Sequence, residues 1–109
     1  MDPSIALIDF DHSVDLSHLM PLTKLWVLTT HSLYQFVVGK DADVFVQGGT
    51  FFPDPASADL VGARFGHRWL KVGWIEVGLP MEIGIGDRLI VTSPVHAIVA
   101  EPPVTPTVH

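Results

Sequence analysis

The sequence predicts an all-β fold, a small antiparallel β-barrel or sandwich of about six to seven short strands. An irregular N-terminal arm precedes it and a Pro-rich tail follows. Three observations predict this. Val, Ile, Phe, Trp, Tyr and Thr fill the apolar runs. Gly, Pro and Asp interrupt those runs at intervals of roughly eight to twelve residues. No run keeps a helical period. At 109 residues the chain has the length of one domain.

The arm runs from Met1 to Leu22. Its apolar patch, Ile5 to Phe10, is mixed with Asp9, Asp11 and Asp15, and Ser17 to Met20 allows one helical turn that Pro21 stops. Such an arm is expected to pack on the domain or on a neighbouring subunit. The β-domain spans Thr23 to Ala100. Lys24 to Val38 reads as one long extended run with a bulge near His31. A turn at Gly39-Lys40-Asp41 returns the chain into a strand from Asp43 to Gln47. Gly48 to Ala58 reads as a loop, because its prolines cannot donate to a ladder. Phe51 and Phe52 are expected to plug the end of the barrel.

Asp59 to Phe65 is the next strand, with Gly62 inside it. Gly66-His67 turns into Trp69 to Val77, and Gly78-Leu79-Pro80 turns again into Met81 to Ile85. Arg88 to Thr92 and Val95 to Val99 are the last strands, kinked apart by Ser93-Pro94. Glu101 to His109, with Pro102, Pro103 and Pro106, reads as a flexible tail.

Composition excludes several function classes. Twelve acids against six bases leave a net charge of −6, and the bases form no strong cluster. That disfavours nucleic-acid binding and a basic membrane-surface helix. The chain has no cysteine, hence no disulfide framework and no Cys-type zinc finger. The N-terminus lacks a basic n-region, and the uncharged stretch Leu25 to Gly39 is too short for a spanning helix. A soluble, acidic, cytoplasmic protein is the default expectation.

Apolar residues make up 48% of the chain. Read as one strand, Lys24 to Val38 places Trp26, Leu28, Thr30, Ser32, Tyr34, Phe36 and Val38 on one face. Leu25, Val27, Thr29, His31, Leu33, Gln35 and Val37 fall on the other. Both faces call for burial, which predicts a homo-oligomer.

Catalytic chemistry finds little support. Ser32 beside His31 suggests a nucleophile, but neighbours on a strand point to opposite faces. Hydroxyls paired across strands explain these residues better. There is no G-x-S-x-G elbow, no H-E-x-x-H and no H-x-H. The six histidines, His12, His18, His31, His67, His96 and His109, have no metal-ligand spacing. Neither a metal nor a cofactor is expected. Gly48-Gly49-Thr50 lacks the Lys-Ser/Thr of a phosphate loop and reads as a tight turn with positive φ.

Arg68 beside Trp69 could recognise an anion or stack on a ring. Glu76, flanked by Ile75 and Val77, would pair with Arg64, Arg68 or Arg88 if it faced inward. Outward alternation is the simpler reading. The segment Trp26 to Ser32 echoes Leu89 to Ser93, and side by side they would cluster Thr30, Ser32, Thr92 and Ser93.

Thr30-x-Ser32-x-Tyr34, Gly48-Gly49-Thr50-x-Phe52, glycines at 62, 66, 73 and 78, and Thr92-Ser93-Pro94-Val95 together resemble small bacterial β-domain proteins of unknown function. The resemblance covers Leu25 to Val99 and implies a β-domain without an assigned activity. The function expected is a non-catalytic assembly or binding module that self-associates through apolar sheet. The alternative is a small-molecule-binding protein or enzyme. Its site would lie at the barrel mouth or between subunits, with His31, Ser32, Tyr34, Arg68 and Trp69 as the ligand-binding residues.

Overall fold

The computed structural model describes residues 7–40, 43–66 and 69–103. Within them the chain is all-β. The strands are β1 (Ile8–Phe10), β2 (Ser13–Asp15), β3 (Lys24–Thr29), β4 (Leu33–Val38) and β5 (Asp43–Gly48). Then come β6 (Phe52–Phe65), β7 (Trp69–Val72), β8 (Trp74–Glu76), β9 (Pro80–Ile85) and β10 (Arg88–Glu101). One 3-10 turn, Leu16–His18, follows β2. The larger sheet has eight strands, ordered β1-β10-β3-β4-β5-β6-β7, with β9 joining β10 to β6. β2 and β8 form a second, two-stranded sheet.

This topology corrects the barrel expectation. A barrel abolishes edges, whereas here the strand path ends in β1 and β7. The reason lies in two fourteen-residue strands that change partners along their length. β10 follows β9 through Pro94 and β3 from Val95 onward, with β1 on its last turn of ladder. β6 follows β5 as far as Asp59, then lies between β7 and β9. Register shifts near Pro94 and Gly62 bend these strands. At Gly62 φ is 151°, and an added Cβ would come within 2.2 Å of the Lys71 carbonyl oxygen. Only glycine fits there. The kink expected at Ser93-Pro94 is present, but inside one strand.

Lys24 to Val38 is a hairpin, not one extended run. β3 pairs with β4 from Lys24↔Val37 to Leu28↔Leu33. The reversal has no Gly, Pro, Asn or Asp to announce it. It is closed by the Thr29 N–H donating to the Ser32 carbonyl at 2.8 Å, and by the Ser32 N–H donating to Thr29 Oγ1 at 3.1 Å. This side-chain closure mimics a backbone turn.

The expected loop Gly48 to Ala58 is largely the first half of β6. Pro53 and Pro55 are tolerated because, among the described residues, β5 is the only ladder partner of this stretch, so the other side needs no N–H. The glycine pair does turn, with φ of 126° at Gly48 and 62° at Gly49. Phe52 is buried and Phe51 exposed. Trp69 to Val77 divides at Gly73 into β7 and β8, and β8 leaves the large sheet to pair with β2. From Leu7 onward the arm belongs to the fold: β1 extends the sheet, and Val14 and Leu16 enter the core. Asp41, His67 and the tail beyond Pro103 lie outside the described residues.

The core fills the space between the bent halves. Phe36, Leu25, Leu60, Ile83 and Ile98 are fully buried there. Among the described residues no buried side-chain nitrogen or oxygen lacks a hydrogen-bond partner.

Candidate functional site

Alternation along β3, β4, β5 and β10 builds two unlike faces. Leu25 and Val27, Phe36 and Val38, Val44 and Val46 point into the core. Their neighbours point out, and the registers set them in rows. Ala97 lies across from Leu28, and Leu28 from Leu33. Val99, Trp26, Gln35 and Gln47 make the second row. Glu101, Lys24, Val37 and Phe45 make the third. Leu28, Leu33 and Phe45 are each about half exposed, at 45%, 54% and 55%. The result is a sheet surface that is apolar in its first row, mixed in its second, and charged in its third through Lys24 and Glu101. At the β10 side it hollows into a concavity of about 600 Å³ lined by Leu7, Trp26, Leu33, Val99 and Glu101.

The residues predicted to bind a ligand do not assemble on this face. His31 is exposed at the tip of the β3–β4 hairpin, where its backbone N–H donates to Ser93 Oγ at 3.2 Å. Ser32 is occupied in the turn: its carbonyl accepts the Thr29 hydroxyl at 3.1 Å. Tyr34 points inward, its ring 6.3 Å from that of Phe36. Trp69 is exposed and stacks on Phe65 with centroids 6.4 Å apart. In the sheet β5 and β6 stand between the strands of Tyr34 and Trp69. Arg68 lies outside the described residues.

The two segments of the sequence echo do not lie side by side: Leu89 to Val91 ladder with β9, β3 ladders with Val95 to Glu101, and Ser93 meets only the tip of the hairpin. Thr30 Oγ1 lies 3.0 Å from His96 Nε2, and the Thr30 N–H donates to the Pro94 carbonyl at 3.1 Å. Thr92 turns inward instead. Its Oγ1 accepts the Met81 N–H at 3.0 Å and donates to the Ser93 carbonyl at 2.8 Å. These contacts hold β10 at its bend and engage the hydroxyls in structure.

Among the described residues the most buried acid is Glu82, not Glu76. Arg64 donates to Glu82 at 3.0 Å, and the carboxylate is only 11% exposed. Glu76 accepts from Lys71 at 2.9 Å, and that ammonium also lies 4.4 Å from the Trp74 ring centroid. A signal for Glu82 existed, since it too is flanked by apolar residues, Met81 and Ile83.

Two carboxyls are displaced from their ordinary range. Asp15 is held low, chiefly by the Ser17 hydroxyl that donates to it at 2.8 Å. Asp43 is pushed up, first by the side-chain hydrogen bond with Asp59, then by desolvation and by that neighbour's charge. The two aspartates face each other across β5 and β6.

Among the described residues no group of three or more His, Cys, Asp or Glu is placed to hold a metal ion. No helix there is long and apolar enough to cross a membrane. Comparison with protein-family models, curated proteins and solved structures finds no match to the chain. The outer face of β10-β3-β4-β5 is accordingly the feature on which a functional reading can be built.

Proposed function

We propose that this chain is a non-catalytic assembly module that self-associates through the outer face of β10-β3-β4-β5. The observation that carries the reading is the row structure of that face. Leu28, Leu33 and Phe45 are half exposed around Trp26 on strands that are already fully laddered. Burying such a side chain is worth about 1.5–3 kcal/mol. The gain is available only from another surface, because the opposite face already carries the core.

The charged end suits part of an interface rim. Lys24, Glu101 and Asp43 border the apolar residues on one side, where polar groups of a specific contact belong. A net charge of −6 opposes unspecific association. Isologous packing of one sheet face on its copy is the simplest closed arrangement.

Light scattering coupled to size exclusion tests the reading. A mass at a multiple of 11.9 kDa is expected, and a Leu33→Asp/Phe45→Asp double variant should lose the association made through this face. A single 11.9 kDa species at high concentration would overturn it.

A small-molecule site on the same face is the second reading, favoured by the concavity of about 600 Å³ around Trp26. That volume falls in the range of ligand pockets. It predicts a monomer whose melting temperature rises with an apolar ligand, and Trp26→Ala would abolish the rise.

A further inference from the structure

The strand path ends in two edges of opposite character. β1 carries Asp9 between Ile8 and Phe10, with Asp11 beyond. β7 carries Lys71 between Leu70 and Val72 and contains no acid. Among the described residues each has a single strand partner, β10 for β1 and β6 for β7. A third length of edge, the first half of β6, is guarded by Pro53 and Pro55 with Asp54 between them. No proline guards β1 or β7. Lysine on an edge ordinarily deters pairing, but the Lys71 ammonium is drawn aside by Glu76 and the Trp74 ring.

We infer that β7 of one copy pairs with β1 of a second copy, head to tail, so that the sheet of one molecule continues into the next. The antiparallel register that sets Asp9 opposite Lys71 also sets Ile8 opposite Val72 and Phe10 opposite Leu70. Charge meets opposite charge and apolar meets apolar at all three positions. A shift of one residue destroys each match. The ammonium has three donors and can serve Glu76 and Asp9 together. A second copy is the occupant because the complementary strand, equal in alternation and opposite in charge, stands at the other end of the same sheet. Such a contact leaves one β1 and one β7 free, so it closes into a ring or grows as a filament. It uses neither face of the sheet and therefore stands or falls apart from the face packing proposed above.

The chain has no cysteine, which makes a cross-link specific. Ile8 and Val72 are exposed enough, at 44% and 71%, to accept substitution. Ile8→Cys and Val72→Cys are placed in separate chains, both carrying Leu33→Asp/Phe45→Asp to silence the apolar face. After mixing and mild oxidation, the mixed disulfide dimer is expected to exceed either like-with-like dimer about fivefold. One chain bearing both cysteines should give a ladder of covalent multimers. Adding Asp9→Lys should slow the cross-link about fivefold at low salt. A statistical mixture of dimers, no cross-link, or a rate indifferent to Asp9→Lys would overturn the inference.

Discussion

The two faces of β10-β3-β4-β5 share one backbone and obey different rules. Inside, Leu25, Val27 and Phe36 are wholly enclosed, and each polar group among them is tied to a partner. Outside, Trp26, Leu28 and Leu33 occupy the alternate positions with comparable bulk but remain in contact with water. The inner face needs its shape in order for the chain to fold. The outer face adds little to the fold of one copy and leaves its apolar area exposed. Hydrophobicity alone cannot separate a core from an exposed face here; the register does.

Substitutions can break that contrast, beginning with the largest effect. Phe36→Ala should lower unfolding free energy by about 3–5 kcal/mol in a denaturant titration. If it does not, the inner face is not the core. Arg64→Met should cost about 2 kcal/mol, because Glu82 would be left with its charge largely buried and unpaired. Adding Glu82→Leu should restore most of the loss, since removing both charges removes the desolvation penalty.

Thr92→Val should cost about 1–2 kcal/mol, the penalty for a Met81 N–H left without its acceptor. Phe45→Ala, one strand away from Phe36, should change stability under dilute, dissociated conditions by no more than about 0.5 kcal/mol. Its effect should appear in the association measured by light scattering. A large loss of monomer stability there would erase the distinction between the faces.

The smallest effect concerns pH at the rim. Asp43 binds its proton more tightly folded than unfolded, because its carboxyl is raised by Asp59. Its contribution therefore favours the fold at low pH and is lost as pH climbs past the raised value. Asp59→Asn should return the Asp43 titration toward the ordinary carboxylate range, followed by carbon-detected NMR. An unmoved titration would show that the facing pair is not its cause.

Much of the fold was legible because β grammar is local. Val, Ile and Phe runs marked the strands, and Gly48-Gly49 marked a turn that needs positive φ. Pro94 marked a bend. The surplus of apolar residues on alternate positions pointed to a second surface, and the outer face now carries it.

What stayed hidden depended on an unannounced local closure and on distant partners. The Thr29–Ser32 closure uses a hydroxyl where a turn-forming residue was sought, so a hairpin read as one strand. Pro53 and Pro55 forbid a central ladder but not an edge, and only the neighbours of β6 decide which it is. The partner changes within β6 and β10, which replace the expected barrel, leave no mark in periodicity. Three of the predicted ligand residues are separated for a related reason. His31, Ser32 and Tyr34 are adjacent in sequence, but a turn and an inward rotation send them to different places.

Ile8 pairs with Ala100, and Lys24 with Glu101. β10, the last of the described strands, thus completes ladders whose partners lie far back in the sequence. Closing so long a span is entropically slow. Until β10 has emerged, β3 lacks its neighbour on that side and the interior lies open. Newly made chains therefore pass through a period in which a molecular chaperone would find apolar segments to hold. Shortening the C-terminus into β10 should abolish folding rather than merely weaken it.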